Sequence, residues 1–441
     1  MTQLRRELTT FDLTMIAIGS TIGSGIFLTP SAIAAALPSP IWIYGVWILG
    51  GVMALCGALT FAELGGMMPG AGGIYVFLSE AYGGLAGFLY GWAYFLVVNT
   101  GGIAALSIAF ATYLGVLVPL SSTGVTIVAV TGIFVVTGIN IVGVKAGGFF
   151  SDVFTILKLI AIAALVVVGF GWGSMSTTDF SVPLQIPAGG LGSALAIAMV
   201  GVLWSIGGWQ HATFAAAEAK NPTRSVPRAM IIGAVVVTAA YLLIMTAYFF
   251  LLSPAEMGGS ARLAADAVGK VFGPPGAAAV ALAIFISTFG TTGIYTLTAP
   301  RIYYAMAADG VFFPGLARLH PRFGTPHRAI MVQSLWAVLL VCYWGTFENL
   351  ISYVVFTDWI FFGFAAAALI PFRRRRPDAP RPYRALGYPV TPLIFISLSA
   401  WFVANTLIER PAQAWAGLLF LALGIPVYFF WKRRSSSHLS G

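Results

Sequence analysis

Charged residues are scarce in this chain, because Asp, Glu, Lys and Arg together make up only 8% of its 441 residues. Soluble domains carry about 25% of these residues, so the composition excludes a soluble protein of this length. Cysteine is also rare, with two residues, which excludes a scaffold held by many disulfides. The sequence has no cluster with metal-ligand spacing, no nucleophile beside a base and no phosphate-binding glycine loop. We therefore expect no metal, no cofactor and no enzymatic activity.

Apolar residues dominate what is present. They form 59% of the chain, and the mean hydropathy is +0.91. A helix needs roughly 20 apolar residues to cross a hydrocarbon core of about 30 Å, and windows of that size give about twelve spans. The apolar runs are continuous rather than alternating, which favours helices over strands. The predicted fold is an all-α polytopic membrane protein, with spans centred near Ile22, Ala54, Ala104, Ile133, Leu159, Leu203, Val237, Ile286, Ala337, Phe361, Leu398 and Leu421.

The net charge of +9 raises the question of nucleic acid as a partner. The basic residues, however, gather in every second loop: nineteen lie on the side of the termini, and only Arg262, Lys270 and Arg410 lie on the other. This is the positive-inside pattern of a membrane protein. It predicts a multi-pass protein of the inner (plasma) membrane with both termini cytoplasmic, in contact with the lipid bilayer and not with nucleic acid. Lys158 is the one basic residue left inside a span.

Two of the apolar stretches contain residues that break helices. Residues 19–27 of the first stretch read GSTIGSGIF, and residues 205–210 of the sixth read SIGGWQ. Glycine lowers helix stability by about 1 kcal/mol relative to alanine, and backbone groups released in hydrocarbon must find new partners. Paired interrupted helices are the best pointer in a sequence to a transporter's substrate site. The alternative is that Gly19 and Gly23 form a helix-packing surface in an unbroken helix.

The two interruptions each open a block of five spans, and the longest loops are about 20 to 30 residues, too short for a soluble domain. We therefore predict one membrane domain over residues 1–441. Within it, residues 8–171 and 191–371 form two five-helix repeats, and the odd number of spans inverts the second repeat in the membrane. Helices 11 and 12 follow at 386–431, and a cytoplasmic tail at 432–441.

Several motifs, in order, are similar to those of a known family. They are GSGIF at 23–27, GGW at 207–209 with Glu218 and NP at 221–222, YYAMA at 303–307 with DG at 309–310, HPRFGTP at 320–326 and RPDAPRPYR at 376–384. The chain resembles, nearly from end to end, the amino acid–polyamine–organocation (APC) transporters, and within them the L-type amino acid transporter branch. This resemblance implies the LeuT-type 5+5 inverted repeat with broken helices 1 and 6, plus two extra helices.

The resemblance also implies where a zwitterionic amino acid binds. Its carboxylate would meet the backbone N–H groups of Ser24 and Gly25, which begin the second half of the first span, because a helix start attracts anions. Its ammonium would meet the carbonyls of Thr21, Trp204 and Gly207. Trp204 would cover the substrate as a gate, the alternative being a Trp at the lipid interface. The predicted substrate-binding residues are Thr21, Ile22, Gly23, Ser24, Gly25, Trp204, Ser205 and Gly207.

Lys158 lies too deep in its span to reach water, so it should face protein. By resemblance, a lysine here occupies the place where sodium-coupled relatives bind a cation between helices 1 and 8. We expect it to tether those helices through Gly19 or nearby carbonyls and the hydroxyls of Ser287, Thr288 or Thr291. A permanent tether and a proton carrier remain open alternatives. Either role predicts transport without sodium.

The specificity is predicted from the lack of a carboxylate near the breaks, because a cationic substrate would need one there. Asp358, the mid-span acid of the tenth helix, is not a pocket position in the family pattern. We therefore expect sodium-independent transport of neutral L-amino acids, by exchange or proton symport, with alternating access. The alternatives are a polyamine or organic-cation exchanger and an amino acid sensor that moves nothing. The lack of outward cysteines argues against a disulfide-linked partner subunit, and we expect a monomer.

Overall fold

The computed structural model describes residues 4–174, 178–180, 187, 189–344 and 347–439. Within these residues the chain is helical, and strand-type pairing is confined to one isolated bridge between Leu8 and Ala219. The α-helices are α1 Thr10–Thr21, α2 Gly25–Ala36, α3 Pro40–Met67, α4 Ile74–Tyr82, α5 Gly84–Ala93, α6 Asn99–Leu117, α7 Ser122–Val142, α8 Val144–Trp172, α9 Leu191–Ile206, α10 His211–Phe214, α11 Pro222–Leu251, α12 Pro254–Gly259, α13 Leu263–Thr298, α14 Pro300–Ala308, α15 His327–Trp344, α16 Phe347–Arg375, α17 Val390–Glu409 and α18 Pro411–Leu439.

The helices have the length and composition of membrane spans. In the described part of the chain, nine helical segments are long and apolar enough to cross a bilayer, and two shorter apolar helices lie at Leu191–Ile206 and His327–Tyr343. Eleven of the twelve predicted span centres lie inside helices, and the twelfth, Ile22, lies between α1 and α2. The prediction of an all-α polytopic membrane protein is confirmed.

Both predicted interruptions are present. The first span stops at Thr21 and resumes at Gly25, and the sixth stops at Ile206 and resumes at His211. Gly208, inside the second interruption, has a φ of 135°, a conformation that glycine adopts far more readily than other residues. The alternative of an unbroken first helix is therefore wrong, although Gly19 does lie at a close helix contact, where an added Cβ would overlap Thr155.

The two interruptions touch each other at the centre of the bundle. A Cβ on Gly208 would lie 2.6 Å from the Thr21 nitrogen, and a Cβ on Gly25 would lie 2.6 Å from the Ser205 Cα. The Ser20 hydroxyl also donates to the Gly208 carbonyl over 2.8 Å. Glycine is thus needed at both points because backbone meets backbone there. The helices α8, α11 and α13 pack around α1 and hold the first break in place.

We call the side of the bundle on which the chain begins the terminal side, and the opposite side the distal side. On the terminal side Leu8 pairs with the segment after α10, through Leu8 N–H to the Glu218 carbonyl at 2.9 Å and Lys220 N–H to the Leu8 carbonyl at 2.8 Å. The Glu218 carboxylate accepts from Arg301 Nε at 2.6 Å and Nη2 at 2.9 Å, with both side chains buried. These contacts close the terminal side beneath the breaks.

The last two spans, α17 and α18, come after the spans that contain the two breaks. α18 continues to Leu439, so residues 432–439 of the predicted tail are helical, and the final two residues lie outside the described part. The division into repeats at 8–171 and 191–371 stays a prediction.

Candidate substrate site at the two helix breaks

The first break releases backbone groups that an unbroken helix would pair. In a continuous helix the Gly23 N–H would bond to the Gly19 carbonyl, but here it donates to the Thr21 carbonyl over 2.9 Å. The Gly19 carbonyl instead accepts from Lys158 Nζ at 2.7 Å and from Thr291 Oγ1 at 3.0 Å. Side chains of the protein thus replace the missing helical donor.

Lys158 joins three helices. Its side chain belongs to α8 and is buried, and Nζ also donates to Thr291 Oγ1 at 2.6 Å. Because Gly19 belongs to α1 and Thr291 to α13, the ammonium connects α8 with both. This is the contact that the sequence analysis expected, whereas the part that Lys158 plays in transport stays a prediction.

The other hydroxyls of α13 divide between the break and their own helix. Ser287 Oγ donates to the Gly23 carbonyl at 3.0 Å, and Thr291 Oγ1 lies 3.0 Å from the Ile22 carbonyl. Thr288 Oγ1 donates to the Ile284 carbonyl of α13 at 2.7 Å. Of the three hydroxyls predicted as candidates for the tether, Thr291 contacts Lys158, Ser287 reaches the break without contacting Lys158, and Thr288 bonds to its own helix.

The Thr21 carbonyl, a predicted partner of the substrate ammonium, already has two donors. Besides the Gly23 N–H, it accepts from the Tyr241 hydroxyl of α11 at 3.1 Å. A carbonyl oxygen offers two lone pairs, so both are used in this conformation. An ammonium would reach Thr21 only by displacing Tyr241.

The start of α2 presents donors to the break. The N–H groups of Gly25 and Ile26 lie in its first turn, where a helix supplies no carbonyl of its own, and the partial positive charge of a helix start favours an anion. Ser24, the residue before α2, is buried. Its Oγ accepts from Trp204 Nε1 at 3.2 Å. The predicted gate therefore lies against the predicted carboxylate site and not at a lipid interface.

The second break redirects backbone groups at the end of α9. In a continuous helix the Gly208 N–H would bond to the Trp204 carbonyl, but it donates to Gln210 Oε1 at 2.8 Å. Gly207 has an extended backbone, with φ −74° and ψ 148°, so its carbonyl leaves the helical direction. Carbonyls suited to an ammonium are thus present at the end of α9.

Ser205 takes part in a contact between the two broken spans. Its hydroxyl lies 3.0 Å from Thr29 Oγ1 of α2 and donates to the Gly201 carbonyl at 2.7 Å. Thr29 Oγ1 also lies 3.0 Å from the Gly25 carbonyl. Because each hydroxyl has a single proton, one of the two donates across to the other span and the other donates to its own helix. Ser205 therefore holds α2 against α9 in this conformation, beside the predicted carboxylate site.

Asp358, which the family pattern does not place in the substrate pocket, lies beside the second break. A narrow cavity adjoins the second break, and its lining includes Trp204, Gly207 and Asp358. The carboxyl group reaches the cavity because α16 packs against α9. Its Oδ1 is buried and has no hydrogen-bond partner among the described residues.

Residues 8–430 match a family described as amino acid permease. The chain belongs to this family. The match covers both breaks, the Lys158 tether and Asp358, so the site lies wholly within the region that defines the family and the APC superfamily to which it belongs.

Several known transporters are similar to this family member over almost its whole length. It is 32% identical to the serine/threonine exchanger SteT of Bacillus subtilis (strain 168) over 432 residues, which covers 97% of each chain. It is 30% identical to the large neutral amino acids transporter small subunit 2 of Mus musculus over 452 residues, covering 98% of this chain and 82% of the relative. It is 28% identical to the b(0,+)-type amino acid transporter 1 of Mus musculus over 454 residues, covering 99% and 91%. Amino acid transport is therefore its functional class.

His211, which follows the second break, has both ring nitrogens engaged. Nδ1 lies 2.6 Å from Thr298 Oγ1 and Nε2 lies 3.2 Å from the Tyr94 hydroxyl. The ring also stacks on Tyr295, with centroids 4.5 Å apart. In this permease His211 is a packed polar residue that fixes α10, which agrees with the low rank that sequence reasoning gives a lone histidine.

Sequence reasoning did not predict the role of three residues of the site. Tyr241 and Gln210 satisfy backbone groups of the breaks, but a tyrosine or a glutamine in an apolar span carries no signal of that task. Asp358 did carry a signal, because an ionisable residue in the middle of a span is by default a functional candidate.

Proposed function

We propose that this permease moves neutral L-amino acids across the inner (plasma) membrane without sodium, by alternating access, as an exchanger or a proton-coupled symporter. The observation that carries the proposal is the meeting of the two breaks, where the start of α2 and the end of α9 face the same point. A helix start supplies donors for a carboxylate and a helix end supplies carbonyls for an ammonium. A zwitterion needs both.

In this proposal the substrate carboxylate binds the N–H groups of Ser24 and Gly25. The ammonium binds the carbonyls of Trp204 and Gly207 at the end of α9. Thr21 joins only in a state in which the Tyr241 hydroxyl has moved away, because its carbonyl already accepts two hydrogen bonds. Trp204 covers the substrate, and its indole N–H leaves Ser24 Oγ when the site fills.

Independence from sodium is supported by the position of Lys158. Its ammonium already occupies the space between α1 and α13, and donates to Gly19 and Thr291 over 2.7 and 2.6 Å. A second cation at the same point would be repelled. The purified protein in proteoliposomes should take up radiolabelled amino acid equally well in sodium and in choline medium. A strict requirement for sodium would contradict the assignment.

Asp358 narrows the expected substrates. A buried carboxyl oxygen without a partner is unfavourable, and a hydroxyl donor on the substrate would satisfy Asp358 Oδ1, which has none among the described residues. We therefore propose small neutral amino acids with a hydroxyl group, serine and threonine, ahead of large aromatic ones, for which Trp204 leaves little room. The similarity to a serine/threonine exchanger agrees with this choice.

A second function deserves a test because Asp358 also suits a cation. A carboxylate beside the second break would pair with the side chain of a basic amino acid or with a polyamine. Counterflow experiments with serine, lysine and putrescine separate the two cases. Lysine or putrescine accumulation without serine accumulation would replace the neutral substrate with a cationic one. Saturable binding of serine without any accumulation would make the protein a sensor.

The proposal includes the orientation and the subunit state. The terminal side, with nineteen basic residues, faces the cytoplasm under the positive-inside rule. We propose a monomer, although the argument from cysteines is weaker than expected, because Cys342 is exposed in the last turn of α15. Labelling of single-cysteine variants from each side of the membrane would test the orientation. Molecular mass in detergent, with and without reductant, would test the monomer.

A further inference from the structure

A large cavity lies on the distal side, above the point where the breaks meet. Its volume is about 610 Å³, and α2, α6, α9 and α16 contribute to its walls. A cavity of this size holds a small organic ligand. Its rim includes Arg262, which follows α12, and Arg410, which lies between α17 and α18.

Among the described residues that line this distal cavity, the charged side chains are all basic. Of the three basic residues on the distal side, Lys270 is paired with Glu256, with Nζ 2.6 Å from Oε1. The other two are Arg262 and Arg410, and neither forms an ion pair with a described acidic residue. Both line the cavity, and no acidic residue is among the described residues that line it.

Two described acidic residues of the distal side lie near this cavity without lining it. Asp266 accepts from the hydroxyl of Ser260, a lining residue, and therefore lies at the edge of the cavity. Glu409 precedes Arg410 in the chain but extends to the start of α9, where its Oε1 lies 2.9 Å from the point that a Cβ on Gly192 would occupy. The cavity therefore presents two guanidinium groups to whatever enters it, and guanidinium groups bind carboxylates well.

We propose that the distal cavity is a carboxylate-capture site, in which Arg262 and Arg410 hold the carboxylate of an incoming amino acid before it reaches the helix breaks. This inference rests on the proposed function. The floor of the cavity includes Thr29 and Gly201, each four residues, about 6 Å along a helix, from Gly25 and Ser205. A captured carboxylate thus lies about one helical turn from the N–H groups at the start of α2, which the contact between α2 and α9 covers in this conformation.

The test compares the removal of these two charges with the removal of a matched charge. Arg262→Gln, Arg410→Gln and the double variant are reconstituted beside Lys270→Gln, which removes a distal charge that does not line the cavity. Electrostatic capture raises association rates by factors of about 10 or more. We expect the double variant to raise KM for external serine about tenfold, with the maximal rate retained, and Lys270→Gln to leave KM within about twofold.

Acetate is the probe for the chemistry of the site, because it has a carboxylate and no ammonium. It should inhibit uptake by the wild type at low external serine and should lose this effect in the double variant. Serine amide, which lacks the carboxylate, should not compete at the distal cavity. Unchanged KM together with unchanged inhibition by acetate in the double variant would overturn the proposal.

Binding of acetate to the purified protein keeps the two proposals separate. Saturation-transfer NMR should detect acetate with the wild type and lose the signal in the double variant, whether or not serine is transported. If serine is not transported but this signal behaves as expected, the proposed function fails and the capture site stands. Equal acetate signals in the wild type and the double variant would remove the capture site and leave the transport proposal intact.

Discussion

The two helix breaks differ in how the protein treats the polar groups that they release. At the first, the carbonyls of Gly19, Thr21 and Gly23 all accept hydrogen bonds from side chains of α8, α11 and α13. At the second, a cavity adjoins the break, and Asp358 Oδ1 has no hydrogen-bond partner in the part of the chain that the structure describes. Satisfied polar groups rigidify a structure, whereas unsatisfied ones mark a place for a ligand. The carbonyl groups of the first break therefore form a fixed support, whereas the second break has an unsatisfied acceptor beside it.

The largest expected effect comes from the contact on which both breaks depend. Gly208→Ala would place a Cβ 2.6 Å from the backbone of Ser20 and Thr21, at a φ of 135°. Strain and overlap together should lower the free energy of unfolding by about 3 kcal/mol and abolish uptake. Thermal unfolding in detergent and serine uptake measure the two effects.

Gly138→Ala is the control for this substitution, since nothing lies within 4 Å of the Cβ that it would add to α7. It should leave both the midpoint of unfolding and uptake near the wild-type values. A Gly208→Ala protein that folds and transports normally would show that the two breaks do not meet as described.

The next largest effect is expected at the first break, where it distinguishes a role in transport from a role in folding. Lys158→Ala removes one donor from the Gly19 carbonyl but leaves Thr291 Oγ1 at 3.0 Å. We expect a loss of about 1–3 kcal/mol in the free energy of unfolding, typical for a hydrogen bond of a charged group, with a folded protein that no longer transports. Serine counterflow and size-exclusion chromatography provide the measurements.

Lys145→Ala is matched to this variant, because it removes an exposed lysine from the same helix. Its transport rate should stay at the wild-type level. Transport by Lys158→Ala at that level would remove Lys158 from the mechanism and reduce the first break to a structural feature.

A smaller and more selective effect is expected at the second break. Asp358→Asn removes the charge but keeps an acceptor oxygen, so it should raise KM for threonine and serine about tenfold, or 1.4 kcal/mol, and change that for alanine less than about twofold. A competition series of the three amino acids against labelled serine measures the ratios. Asp378→Asn, at an exposed loop position, should change none of them.

Three results of the Asp358→Asn experiment would be informative. Equal losses for alanine and threonine would mean that Asp358 holds the structure and does not select the side chain. Loss of lysine uptake alone would favour a cationic substrate. A selective loss for hydroxyl-bearing substrates would place the side-chain pocket at the second break.

The difference between the breaks also explains what the sequence could and could not predict. Gly23 and Gly208 reveal the interruptions because glycine in a membrane span has a local cost that the sequence exposes. Lys158 was predictable for a similar reason, since a buried cation needs a partner nearby. The hydrogen bond from Tyr241 to the Thr21 carbonyl was not predictable, because the tyrosine hydroxyl reaches the break only through the packing of α11 on α1.

Asp358 shows a second limit. The sequence places it in the middle of a span, but which side of α16 faces the cavity depends on how that helix packs against α9. The resemblance to a family pattern favoured one answer and the packing gives the other. The side of a helix is set by tertiary contacts that neither hydropathy nor motif order records.

The smallest effect on stability is expected at an ion pair far from both breaks. Its size is the reference against which the effects at the breaks are compared. The ammonium of Lys270 and the backbone N–H of Ser253 lower the pKa of Glu256 to about 2. Because this value lies below the ordinary value of about 4.3, the pair stabilises the folded state above pH 4.3 and loses this contribution as pH falls toward 2. Both side chains are 46% exposed, so screening limits the contribution to about 0.5 kcal/mol.

Glu256→Gln should therefore lower the midpoint of thermal unfolding slightly at pH 7 and by less at pH 3, with uptake unchanged. The effect should disappear when Lys270→Gln is already present, because the partner charge is then absent. An equal shift at both pH values would mean that the carboxylate charge contributes nothing and that the capping hydrogen bonds of Ser253 account for the effect. A shift as large as that of Lys158→Ala would contradict the view that buried donors at the first break outweigh exposed ion pairs on the distal surface.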